Sequence, residues 1–313
     1  MDWQPSCSLQ ALKLRARVLA DIRAFFASRG VMEVETPLLS ASTATDPGLD
    51  SFELEAEGRR FLLTSPEPHM KRLLAAGSGP IFQISRAFRR GEAGRRHNPE
   101  FTMLEWYRPG FSLEALEAEL LDLIRALGWQ APAEHATYGE LFRRYLGLDP
   151  FTADNEALIR QAAQVGQLEA SVLDRETALD LLFSHCVEPR LVAHDTLVVS
   201  GYPASQAALA RTSVNEDGQA VALRFELYLR GIEVANAYDE LADETEQARR
   251  ACSDNEVRQA RGLPDIPEDA RFLAAVGQLP PASGIALGVD RLIMVLGGYA
   301  SLAEVLAFDW ARA

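Results

Sequence analysis

The chain has 313 residues, 48% of them hydrophobic and 24% charged, and a formal net charge of −14. This is the composition of a globular protein of one large domain or two ordinary ones, with no run near the roughly 18 apolar residues of a membrane span. An acidic total repels polyanions, although residues 86–96 form a local basic stretch, and the opening Met1-Asp2-Trp3-Gln4-Pro5 lacks the order of a secretory signal.

Residues 11–29 space Leu14, Val18, Ile22, Phe25 and Phe26 as on one helical face and stop at Gly30. Residues 31–35 alternate like a short strand that Pro37 ends. Residues 61–63 read as a further strand and 67–76 as a short helix. Residues 81–89 and 100–107 alternate on either side of a charged loop, and 113–127 form an amphipathic helix closed by Gly128. The stretch 131–200 carries the weakest signal: a helical run at 177–186 and an apolar strand at 197–200. Residues 220–238 are a long β stretch broken at Arg230-Gly231, followed by a polar helix at 245–261. Residues 284–296 pass from a glycine-punctuated strand into an apolar helix. Without βαβ alternation, the expectation is an α+β fold, an antiparallel sheet flanked by helices. Cys7, Cys186 and Cys252 are odd in number and far apart, and the five histidines form no ligand pair; free thiols in a reducing cytoplasm and no structural zinc follow.

Four stretches carry chemistry. In 82–89, alternation puts Gln83, Ser85, Ala87 and Arg89 on one face, and the Arg89 guanidinium suits bidentate phosphate contact. In 101–107, Phe101, Met103, Glu105 and Tyr107 share a face, and a carboxylate among apolar groups there is costly unless it serves a ligand. The intervening loop, Arg90-Gly91-Glu92-Ala93-Gly94-Arg95-Arg96-His97-Asn98-Pro99, is basic and, taken alone, reads as a solvated hairpin tip. If Arg230-Gly231 is a two-residue turn, Glu226 and Glu233 project from one face, a pair of oxygen donors suited to nucleotide-borne Mg²⁺. Strict alternation would turn Asn236, Tyr238 and Glu240 away from Glu233, so a bulge near Ala235 is required for all of them to line one pocket. In 283–292, Gly284, Ala286 and Gly288 leave one strand face nearly bare, and Arg291 opens the next helix near its positive end. A tight turn in which Asp290 and Arg291 pair structurally is the alternative.

Together these stretches resemble the three motifs of class II aminoacyl-tRNA synthetases. Residues 30–37 are similar to motif 1, 88–108 to motif 2 and 284–291 to motif 3. Arg-His-Asn-Pro-Glu-Phe-Thr-Met-Leu-Glu at 96–105, Glu-Val-Ala-Asn-Ala-Tyr-Asp-Glu at 233–240 and Thr64-Ser65-Pro66-Glu67 are similar to lysyl-tRNA synthetases. Only about a dozen residues precede the motif 1 helix, where those enzymes carry an anticodon-binding OB-fold. That layout, with Trp3-Gln4-Pro5-Ser6, the 102–109 run and Tyr202-Pro203-Ala204-Ser205-Gln206-Ala207, resembles the elongation factor P lysyl-transferring ligases.

The resemblance implies a single catalytic domain over 1–313, ATP as substrate with Mg²⁺, and a homodimer with neither membrane nor tRNA as partner. It implies transfer of (R)-β-lysine, through its adenylate, to elongation factor P. By resemblance Arg89, Arg291 and Glu233 are catalytic, and Glu226 and Glu233 hold the metal. Arg90, Gly91, His97, Asn98, Phe101, Val234 and Gly288 join Arg89, Glu233 and Arg291 around the nucleotide. Ser65, Pro66, Glu67, Glu105, Tyr107, Asn236, Tyr238, Glu240 and Ala286 receive the amino acid. Two departures stand out: Ala286 replaces a usual glycine, which would reposition the substrate's amino group, and Gly91 replaces a usual glutamate, with Glu92 one residue later. A stand-alone lysine-activating domain acting on tRNA or another small acceptor, and a non-catalytic paralogue with a regulatory role, are the competing readings.

Overall fold

The structure is a computed structural model that describes residues 3–313. The chain folds as two compact units, one built from the stretches up to Gln130 and from Glu240 onward, the other Ala131–Asp239.

In the first unit, four strands lie side by side in the order Met32–Glu33, Ile81–Phe88, Glu100–Pro109, Ala282–Gly288. The helix Leu9–Ser28 starts where the Ser8 side chain accepts from Ala11 N at 3.2 Å. Its buried stripe of Val18, Ile22, Phe25 and Phe26 meets one sheet face, where Phe26 stacks on Phe82 at 4.6 Å and packs against Trp106 at 5.2 Å. The helix Leu113–Ala126 adds Leu116, Leu120, Leu123 and Ile124 to the buried core. These helices spend their apolar surface on one face of the sheet and leave the other for the site. A small antiparallel sheet (Leu39–Ser40, Arg59–Leu62, Glu53–Glu55) and the helix Glu67–Ala75 complete the surroundings.

In the second unit the order is Ile232–Asp239, Arg224–Leu229, Thr196–Ser200, Glu134–Thr137. The weakly patterned stretch forms the helices Tyr138–Leu146, Asn155–Gly166 and Arg175–Leu182, the last running into a π-helical turn at Phe183–Val187. A capping box between Thr137 and Glu140 opens the first of them. Tyr138 stacks on Phe142 and Phe183 at 4.7 and 4.8 Å in the centre of this core.

The α+β expectation holds, with one difference. Met32–Glu33 pairs in parallel with Ile81–Phe88, as Glu134–Thr137 does with Thr196–Ser200. Each of these pairs is joined by a long connection containing helix, which permits parallel pairing where a tight turn does not.

Candidate active site

The register of the first unit places three strands' worth of predicted residues on one face. Gln83 lies opposite Glu105, Ser85 opposite Met103 and Ala87 opposite Phe101; across the other edge Gly284 pairs with Tyr107, Ala286 with Glu105 and Gly288 with Met103. Gln83 Oε1, Ser85 Oγ and Arg89 Nε are buried there with no protein partner, the state of polar groups that a ligand satisfies.

At one end of this face the carboxylates of Glu67, Glu105 and Glu240 converge. Ser65 Oγ donates to Glu105 Oε2 at 2.7 Å and accepts from Glu67 N at 3.0 Å, so it starts the helix and aims the neighbouring acid at once. Pro66 holds the N-cap position of that helix. Tyr107 OH donates to Glu105 Oε1 at 2.6 Å. Lys71 Nζ lies 2.6 Å from Glu67 Oε1 and 2.6 Å from Glu240 Oε2, with only 1% of its side chain exposed. Burial pushes Glu105 up, to about 8, and repulsion from Glu67 adds to it. Burial likewise raises Glu240, where attraction to Lys71 offsets only part of the rise. Burial alone would lower Lys71, but Glu240 and Glu67 outweigh it and leave the ammonium firmly charged.

Farther along the face, the Arg89 guanidinium stands 5.1 Å over the Phe101 ring, and its backbone N–H donates to Pro99 O at 2.8 Å. Arg291, in the first turn of the helix Val289–Gly297 that Gly288 caps, donates to His97 Nε2 at 2.6 Å and Arg96 O at 3.3 Å. Asp290 bonds Arg15 and accepts from Thr102 N at 2.8 Å, which ties this helix start to the first helix and to the sheet. The basic loop is exposed but anchored, with Arg95 Nε donating to Ala300 O at 2.7 Å. Asn98 serves the backbone, donating to Glu100 O and accepting from Trp310 N at 2.9 Å. Arg90 is exposed and turned toward Asp50, 3.8 Å away, and Gly91 makes the turn at φ +81°.

The second unit carries the other predicted acids. Arg230 and Gly231 both have positive φ, +50° and +70°, the geometry of a tight hairpin turn. Tyr228 lies opposite Glu233 but Leu227 opposite Ala235, so Val234 is the extra, buried residue of a bulge. That bulge returns Asn236 to the face of Glu233: Asn236 lies opposite Glu226, and Tyr238 opposite Arg224. Glu226 bonds Arg224 and accepts from Tyr202 and Tyr228 hydroxyls, each at 2.6 Å. Burial pushes Glu226 up, Arg224 pulls it back and the charge of Glu233 raises it again. Asn236 Nδ2 donates to Tyr238 OH at 3.1 Å, while its Oδ1 is buried without a partner. Two carboxylates on one face fit a metal that arrives with phosphate oxygens; among the described residues no three potential ligands converge to hold one alone.

The sequence reading did not single out Lys71, Arg224 or Tyr228. Strand alternation from Glu226 offered a signal for Arg224 and Tyr228. Glu67 and Lys71 at i, i+4 look like any solvated helix pair, and nothing local marks them as buried.

A model of the tRNA synthetases class II (D, K and N) matches residues 1–311. The chain belongs to the class II tRNA synthetase family. Among curated members, it is 48% identical over 321 residues to the elongation factor P–(R)-β-lysine ligases of Salmonella paratyphi B, Salmonella heidelberg and Salmonella typhimurium, covering 99% of this chain and 98% of theirs. The α+β architecture is the one that family membership calls for. No helix among the described residues is long and apolar enough to cross a membrane.

Proposed function

We propose that this chain is an ATP-dependent ligase that activates (R)-β-lysine as its adenylate and transfers it to the ε-amino group of a lysine on elongation factor P. The observation that carries this reading is the buried cluster of Glu67, Glu105 and Glu240, in a chain 48% identical to ligases of that name. Carboxylates removed from water at such cost suit a substrate that brings its own ammonium groups.

In the first step the substrate carboxylate attacks the α-phosphorus of ATP and pyrophosphate leaves. Charge accumulates on phosphate oxygens, so positioning and electrostatics dominate. Arg89 meets the α-phosphate, and Arg291, already held by His97, meets the γ-phosphate. Phe101 offers its ring to adenine, and Arg90, Gly91, Asn98, Val234 and Gly288 line the nucleotide. Glu226 and Glu233 supply the two carboxylates for Mg²⁺, which neutralises phosphate charge when bound with ATP. Glu105 and Glu240 take the side-chain ammonium, Tyr107 fixes Glu105, and Ser65, Pro66, Glu67, Asn236 and Tyr238 orient the remaining amine and carboxylate. The Ala286 methyl, on the face of Glu105, selects where that amine sits. In the second step the acceptor lysine's neutral amine attacks the adenylate carbonyl, an amide forms, and AMP leaves. The enzyme works in the cytoplasm as a homodimer, through the catalytic domain spanned by the family match and without tRNA.

Amino-acid-dependent ATP–pyrophosphate exchange tests the reading. Exchange faster with (R)-β-lysine than with L-α-lysine, followed by a lysyl mass gain on elongation factor P, is expected. A preference for α-lysine with charging of tRNA would replace it by a synthetase-like activity, and no exchange with either would reject the enzyme reading.

A further inference from the structure

Lys71 is a fully buried ammonium in the middle of the acidic cluster, and no step above uses it. It sits on the helix Glu67–Ala75, reaches Glu67 on its own helix and reaches Glu240 from the far end of the chain, each at 2.6 Å. Glu105 is held by neutral donors instead, Ser65 and Tyr107. By formal charge, three carboxylates against one ammonium leave the cluster two negative charges in excess, which protons or a cationic ligand must balance. A diamino acid brings two ammonium groups.

We propose that Lys71 is a positioning and specificity-determining residue of the amino-acid pocket: an internal ammonium that clamps Glu67 to Glu240 and sets the pocket's charge to match a substrate with two ammonium groups. This rests on the reading that the cluster binds the amino acid. The clamp matters because a carboxylate with one fixed oxygen presents the other in a defined direction, and Lys71 fixes one oxygen of each partner. The charge matters because a buried excess of negative charge is relieved either by protons or by a cationic ligand. Burial first, with the charge of Glu67 adding to it, displaces both Glu105 and Glu240 upward. Gly284 shows how closely the cluster is packed, since a Cβ there would overlap Glu240 Oε1 and the Tyr107 ring. Glu240 and Tyr107 are therefore held close against this strand.

The test is a charge cycle read by pyrophosphate exchange. Lys71→Met removes one positive charge, Glu67→Gln removes one negative charge, and the double variant restores the original net charge. Lys71→Met is expected to raise the KM for the amino acid at least about tenfold while leaving the KM for ATP within about twofold, since truncating one partner of a buried charge pair is costly at that pocket alone. Adding Glu67→Gln is expected to recover a substantial part of that KM, a non-additivity that a purely structural role does not produce. If Lys71→Met fails to fold, the double variant, which replaces an ion pair by two neutral groups, still reports: an amino-acid KM lower than that of Glu67→Gln alone supports the charge count, and a KM equal to or higher than that of Glu67→Gln alone overturns it. An unaltered amino-acid KM in folded Lys71→Met also overturns it. Absence of amino-acid-dependent exchange in the unaltered enzyme would instead reject the underlying function.

Discussion

Glu105 illustrates how much one side chain depends on its immediate partners. Its oxygens accept from Ser65 and Tyr107, and it has no cation of its own within hydrogen-bond reach among the bonds that hold it. In the proposed function a substrate ammonium supplies that cation. Glu105→Gln keeps the shape and removes the charge, so the amino-acid KM should rise by the equivalent of about 2–5 kcal/mol with ATP affinity unchanged. Steady-state exchange separates the two, and an unaltered amino-acid KM would remove Glu105 from the pocket. Tyr107→Phe deletes a single 2.6 Å bond and should cost only about 1 kcal/mol by the same assay. A Tyr107→Phe defect as large as that of Glu105→Gln would mean that the hydroxyl touches substrate directly.

At the scale of elements, the hairpin Arg224–Leu229 and Ile232–Asp239 shows two local devices acting together. Its turn needs positive φ at both central residues, and Gly231 lies so close to the backbone of Val192 that an added Cβ would stand 2.7 Å from Val192 N. Gly231→Ala should therefore destabilise the protein by about 1–3 kcal/mol, seen as a lower urea midpoint with an unchanged slope. No shift would show that the turn relaxes freely. The second device is the bulge at Val234. Deleting Val234 removes the extra residue and leaves Glu233 and Asn236 two positions apart, on one face by strict alternation and opposite Tyr228 and Glu226 as before. Exchange activity should then survive while far-ultraviolet circular dichroism remains native; loss of activity in a folded deletion variant would show that the bulge does more than put these two residues on one face.

At the scale of the whole molecule, the buried acids make stability depend on pH. Glu105 and Glu240 are each displaced from 4.5 to about 8 in the folded protein, chiefly by burial. Because the folded values lie above the unfolded ones, their protonated forms favour folding below pH 4.5, and that contribution is lost as pH rises through about 8. Calorimetry without ligand should show Tm declining across this window beyond what a Glu105→Gln variant shows. A diammonium substrate should reverse the decline, since it binds the ionised carboxylates and stabilises by mass action. A Tm profile identical in the variant would mean that water reaches the cluster. The net charge of −14 adds a second expectation: tRNA binding in a mobility-shift assay should be undetectable near physiological salt, where a screened but acidic surface still repels phosphate.

The local patterns in the chain were sufficient for the α+β class, the paired strands around the basic loop, the Arg230-Gly231 turn and the common face of Phe101, Glu105 and Tyr107. Each of these rests on a period of two residues or on the backbone freedom of a turn, properties that adjacent residues express by themselves. The need for a bulge near Ala235 was legible too, as a conflict between alternation and a shared pocket, although its position at Val234 was not. Tertiary structure alone decided the partners. Asp290 bonds Arg15, 275 positions earlier. Lys71 is a buried clamp rather than a solvated helix charge, because Glu240 folds back onto it from the distant end of the chain. Spacing along a chain reports which side of an element a residue occupies; what lies on that side, and whether water reaches it, is set by segments far away in sequence.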